Sequence, residues 1–366
     1  MFLPRHRPSF CAHALHAIVA VCLMVGAAAC DSEAGTTGST GSNPPDSVGS
    51  ESTSAGARPS DPSTVQGSSE QGPGESTLIV DLDAPSRVGD LVDLMTVELS
   101  AAMSGDGAGA PLAVYIPDGD GESYGPSVVA RDALATYVAD IVNQRVLRLA
   151  NDGSLTEITL PMPVNYLRDL SAMVIDEDAS TMYLQVIDTV HAMGINDSRE
   201  QWQVQVAGAA PRTLTIHDGV VTVRTGSNCV TLAAGTGQVV EGGDARALCV
   251  VPDVHAGAAR VLVTLSQQNI ASVTLTTTRG TVLRVEIGEV DTETNTIYGT
   301  ADLQLDDGQT RLTAFAVNTT SSTVMTLPHS ANRRLETAMP VTDHAGTIGI
   351  WYDDTTIRVS TVAWDE

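Results

Sequence analysis

Three hydrophobic patterns follow one another along the chain. From Phe10 to Ala29 nearly every residue is apolar or small, and from Asp31 to Glu75 the chain is Ser, Gly, Thr and Pro with scattered acids. From Thr77 onward, short runs rich in Val, Ile, Leu and Thr recur between turns containing Gly or Asp. Runs of that length predict strands, because successive side chains of a strand point to opposite faces. Leu78–Leu82 is the first, and Val88–Met103 reads equally as a strand pair or as one amphipathic helix. Leu112–Ile116 opens a long succession that ends in Thr347–Tyr352 and Thr356–Trp364.

The most regular stretch is Tyr124 to Asp152. It holds two apolar segments, a turn, a polar clasp from Asp140 to Arg145 and a third strand. One such unit cannot bury its own apolar face, so it implies neighbours of the same kind. The order Gly125-Pro126, Val128-Val129-Ala130, Asp132, Tyr137-Val138-Ala139-Asp140, Asn143, Arg145-Val146 resembles an NHL-type β-propeller repeat, except that Ala133-Leu134-Ala135 stands where that family usually turns on Gly. Ser171–Asp176 and Met182–Ile187 repeat the pattern more weakly, with Tyr183 falling 46 residues after Tyr137, and Trp202–Val206 supplies an outer strand.

Further strand groups are Thr213–Thr225 with Cys229–Ala233, Ala247–Val251 with Val261–Leu265, Ala271–Thr277 with Val282–Ile287, Thr296–Leu305 with Arg311–Val317, and Ser322–Leu327. A period of roughly 40–50 residues with several strands each is the signature of propeller blades. The expected class is therefore all-β, a propeller of six blades, with seven if Leu78–Met103 forms one. An all-β sandwich for the C-terminal half is the competing architecture. In a closed ring, Leu112–Ile116 or Leu78–Leu82 stands ready to pair with the C-terminal strands and remove an exposed edge.

The N-terminal patterns set the domain boundaries. Arg5 and Arg7 precede the apolar run, which ends in Ala27-Ala28-Ala29-Cys30. This has the form of a secretory signal and resembles the lipobox of bacterial lipoproteins, with Ala27 where Leu is preferred. The resemblance implies lipidation at Cys30 and anchoring to a membrane; cleavage after Ala29 without a lipid, or an uncleaved anchor helix, are the other readings. Residues 1–29 are then the signal peptide, 30–76 a disordered tether and 77–366 the propeller domain. As a flexible coil the tether spans about 35–40 Å, which gives it reach and nothing to bury.

Charge narrows the functions. The chain carries 19 basic and 44 acidic residues, net −25, and every basic residue is Arg. Without Lys, Schiff-base chemistry and a phosphate-loop lysine are excluded, and nucleic acid is not an expected partner because it needs clustered positive charge. Cys229 and Cys249 are an even pair in an exported chain and read as a disulfide, against two separate buried thiols. Asp118, Asp120 and Glu122 alternate with Gly, a weak calcium-loop pattern beside the ordinary reading of a solvated acidic turn; no other cofactor is expected. His191, His217, His255, His329 and His344 fall in different strand groups, and no hydrolase elbow, zinc motif or dinucleotide fingerprint occurs. The aromatics read as blade packing rather than as a sugar platform. The resulting expectation is a lipid-anchored cell-envelope propeller that binds protein, peptide or glycan. The alternative is a propeller enzyme, a lyase or hydrolase, with its site at the axial channel mouth.

Overall fold

The computed structural model describes residues 77–83, 87–88, 90–103, 111–115, 123–226, 228–240, 248–255, 257–265, 268–318, 321–327 and 339–364. The signal and tether with Cys30, the acidic stretch with Asp118, Asp120 and Glu122, and His329 lie outside them.

Three strands precede the first blade: β1 (Thr77–Asp81), β2 (Arg87–Val88) and β3 (Val92–Glu98), followed by the short helix α1 (Leu99–Met103). Blade 1 is β4 (Val129–Arg131), β5 (Ala135–Asp140), β6 (Arg145–Ala150) and β7 (Leu155–Thr159). After helix α2 (Val164–Leu167), blade 2 is β8 (Leu170–Asp176), β9 (Thr181–Val186), β10 (Thr189–Gly194) and β11 (Glu200–Gln205). Among the described residues blade 3 has three strands, β12 (Ala209–His217), β13 (Val220–Thr225) and β14 (Asn228–Ala233). Blade 4 is β15 (Leu248–His255), β16 (Ala258–Leu265) and β17 (Gln268–Thr276). Blade 5 is β18 (Gly280–Asp291), β19 (Thr296–Leu305), β20 (Thr310–Val317) and β21 (Ser322–Thr326). Blade 6 is β22 (Val341–Asp343), β23 (Gly346–Tyr352) and β24 (Thr356–Val362). The protein is a six-bladed β-propeller. Each inner strand from β4 through β8, β12, β15 and β18 to β22 neighbours the next, and β4 meets β23 of blade 6.

The burial of each strand follows from its rank in the blade. The second strands β5 (ATYVAD) and β9 (TMYLQV) are buried at every residue, because neighbouring blades cover both of their faces. The outer strand β11 (EQWQVQ) alternates between exposed and half-buried. The core therefore lies between blades. Tyr137, Ile158, Leu167 and Leu184 pack in the cluster shared by blades 1 and 2, and Val261, Val273, Leu303 and Phe315 in the one shared by blades 4 and 5.

The N-terminal strands form no seventh blade. They run as a belt along the outside of the ring: β1 pairs in parallel with β17 of blade 4, β2 in parallel with β21 of blade 5, and β3 antiparallel with β24 of blade 6. Closure is thus made by Val92–Glu98, and neither by Leu78–Leu82 nor by Leu112–Ile116. Leu112, Ala113 and Val114 are buried, with Ala113 N–H donating to Asp140, so this stretch fills the seam between blades 1 and 6 instead of extending a sheet. Tyr115 makes a single bridge to Tyr124. The ambiguous Val88–Met103 resolves into strand and then one helical turn.

Cys229 and Cys249 are disulfide-bonded, with Cα atoms 5.9 Å apart. They stand on β14 and β15 and so join blade 3 to blade 4, not two strands of one hairpin.

Candidate ligand site at the channel mouth

The ring encloses a cavity of about 670 Å³ reached by residues of every blade. A smaller space of about 70 Å³ shares part of its lining and is also lined by Met339 and Pro340, both buried. At the wide end each inner strand turns back, and polar side chains collect there: Arg131 and Asp132 from blade 1, His217 from blade 3, Glu289 from blade 5, and Asp343 and His344 from blade 6.

Local backbone geometry sets these groups. Gly288 sits at a break in register within β18, where Ile287 faces Gly299 and Glu289 faces Tyr298. Such a bulge re-aims the following side chain. A Cβ at Gly288 would meet Thr342 O of the adjacent inner strand at 2.2 Å, so only glycine lets the two strands approach. Gly346 has φ +133°, where a Cβ would strike the backbone of Val362. Its carbonyl accepts from Arg131 at 3.2 Å.

The charged groups are held in pairs. Arg131 grips both oxygens of Asp343, with Nε to Oδ2 at 2.8 Å, Nη2 to Oδ1, and Nη1 to Thr361 Oγ1 at 3.5 Å. This fork joins the first blade to the last across the point of closure. His344 meets Glu289 twice, backbone N–H to Oε2 at 2.7 Å and Nδ1 to Oε2 at 2.9 Å. Asp132 accepts from Leu134 N and Ala135 N at 2.8 and 2.7 Å, and from Tyr137 Oη at 2.7 Å. Burial, reinforced by that bond to Asp132, pushes the Tyr137 hydroxyl up to about 12. Burial also raises the Tyr298 hydroxyl, helped by the negative charges of Glu289, Asp291 and Asp343.

Glu289, Asp343 and His344 each offer a ligand atom, all within 4.8 Å of one another. A cation there would have to displace the Arg131 guanidinium from Asp343, so the arrangement reads as an ion-pair network rather than as a metal centre.

The structure brings His217 and His344 to the mouth and leaves the other described histidines elsewhere. His191 is buried in blade 2, its Nδ1 2.6 Å from Glu200 Oε1 and its Nε2 3.2 Å from Tyr166 Oη. His255 is exposed at the end of β15. Within blade 1, Asp140 accepts from Asn143 at 2.8 Å and Arg145 at 3.0 Å, so the sequence clasp is a real one. Burial drives its carboxyl above the ordinary value, against those bonds. Tyr137, Tyr183, Trp351 and Tyr352 are buried packing residues. Arg131, Glu289 and Asp343 were not singled out by the sequence reading. Their signal is positional, a charged residue at or near the end of an inner strand, repeated from blade to blade.

Fold and site define a six-bladed propeller with a charged, open channel mouth. No protein-family model matches the chain, and no curated protein does. Solved structures similar to it include a protein described as exported from Bacteroides fragilis, at 6% identity and TM-score 0.43, covering 79% of this chain and 99% of that one. Virginiamycin B lyase from Staphylococcus aureus matches at 9% identity and TM-score 0.40, covering 69% and 99%. BamB from Moraxella catarrhalis matches at 13% identity and TM-score 0.34, covering 69% and 98%. Likeness of this size says nothing of ligand or activity.

Proposed function

We propose that the chain is an exported, lipid-anchored binding module of the cell envelope, whose channel mouth receives a protein, peptide or glycan. Residues 1–29 act as the lipoprotein signal, Cys30 carries the lipid, 30–76 is the tether and 77–366 is an NHL-type propeller. The disulfide supports a compartment outside the cytoplasm. The observation that carries binding over catalysis is the pairing at the mouth. Arg131 is spent on Asp343, Gly346 and Thr361, and His344 on Glu289, so the charges form a fixed recognition surface. The second reading, a lyase or hydrolase, draws on that same His344–Glu289 contact, because a carboxylate-oriented imidazole is the form of a general base.

The test uses the full chain in lipid nanodiscs on peptide and glycan arrays. Retention of a defined array member should fall at least tenfold in a His217→Ala, Glu289→Gln, His344→Ala triple variant with unchanged thermal unfolding. Retention indifferent to those substitutions sinks the mouth as the site. In parallel, radiolabelled palmitate should enter the wild type and not Cys30→Ala; equal label in both would remove the anchor.

A further inference from the structure

Beside the charged groups, aliphatic side chains from four blades line the channel. Val174 and Ile175 of blade 2, Ile216 of blade 3, Ile287 and Val290 of blade 5 and Val341 of blade 6 all line the 670 Å³ cavity. Each is only partly buried. Elsewhere the inter-blade clusters bury β-branched residues such as Val261, Val273 and Ile348 completely. All six pack against an inter-blade cluster on one side, and the aliphatic surface they still turn to the cavity stays wet unless a ligand covers it. The volume falls in the range of sites that take drug-sized ligands, which combine apolar walls with a few polar groups.

The rim decides the other end of the ligand. Its strong donor, Arg131, is committed to Asp343, Gly346 and Thr361. Its acceptors are not exhausted: each carboxylate has about four lone-pair sites. Asp132 shows three bonds, and Glu289 is engaged by a single neighbour, His344. Three rim carboxylates stand against one guanidinium, in a chain of net charge −25. Such a mouth recruits positive charge and repels anions.

We infer that the channel binds a small cationic amphiphile, its aliphatic portion in the shaft and an ammonium donating to Glu289 at the rim. This rests on the reading that the mouth is the ligand site and names the chemistry it selects. A polar ligand confined to the rim would leave the aliphatic side chains wet, and an anionic head would meet three carboxylates, with Arg131 committed and the imidazoles of His217 and His344 as the nearby donors.

The probe is a diazirine-bearing octylamine, applied to the full chain in lipid nanodiscs, with the matching carboxylic acid and empty discs alongside. Adducts are mapped by mass spectrometry. The amine should mark channel-lining residues, Ile216 and Ile287 among them, about tenfold more than the acid does. Unlabelled n-alkylamines should compete, each added methylene lowering the competing concentration about fourfold. Ile216→Trp or Val174→Trp should abolish the channel adducts. Because a bulky substitution can misfold the ring, Glu289→Gln supplies an independent arm: it should reduce amine labelling and leave acid labelling unchanged. Equal labelling by amine and acid overturns the charge assignment while leaving the mouth a ligand site. Adducts confined to the outer surface overturn the inference entirely, whereas array retention sensitive to rim substitutions still judges the proposed function separately.

Discussion

Asp83 is where one carboxylate ties the belt to the ring. Its side chain is 5% exposed and accepts from Thr277 Oγ1 at 2.8 Å, Thr278 Oγ1 at 3.0 Å, the backbone N–H of Thr278 and Arg279, and Arg311 Nη2 at 2.8 Å. Burial alone would raise this carboxyl, but the bonds from Thr277, Thr278 and Arg311 outweigh it and hold it well below the usual range. A depressed folded-state value means stability that is fully present above the unfolded value, near pH 4, and is lost as pH falls through the folded one. Asp83→Asn should therefore cost about 1–3 kcal/mol at pH 7 in urea denaturation, and the gap from wild type should shrink below about pH 4. A gap that ignored pH would contradict the assignment. Bonds of this kind are opaque in the sequence. Asp83 and Arg311 are 228 residues apart, as Arg131 and Asp343 are 212 apart, and no local pattern marks either pair. Asp140 and Arg145 were legible because their bond closes within one turn.

At the scale of elements, the first two blades could be read from their repeats, while the pairing of the belt could not. A strand added in parallel to a distant outer edge leaves no turn signal beside it. The second strands, buried throughout, also lose the alternation that marks a half-exposed strand. The disulfide was legible as a pair of cysteines, but its place between two blades was not, because spacing does not distinguish a hairpin from a blade-to-blade crossing. Since it closes a segment with a sequence separation of 20 residues, replacing both cysteines by Ala should destabilise the ring by roughly 3 kcal/mol. Reductant should lower the wild-type urea midpoint to that of the double variant and leave the double variant unmoved. A midpoint insensitive to reductant would show that the bond adds nothing.

For the whole molecule, the period of the strands announced a six-bladed wheel, and closure is the feature on which the wheel depends. Val97 of β3 is 4% exposed and opposite Ile357 of blade 6, while Leu94 on the same strand is 43% exposed. Val97→Asp places an unpaired charge in the seam between the last and first blades and should cost at least about 3 kcal/mol, whereas Leu94→Asp should cost under about 0.5 kcal/mol. Equal effects of the two would mean that β3 merely lies against the ring.

The belt also fixes the timetable of assembly. Residues 77–98 are made before any blade, yet their partners in β17, β21 and β24 belong to the last three blades. The belt must wait, its strands unpaired, until blades 4, 5 and 6 have been made. Pairings of such long sequence separation are slow to find, so the ring can lock only late.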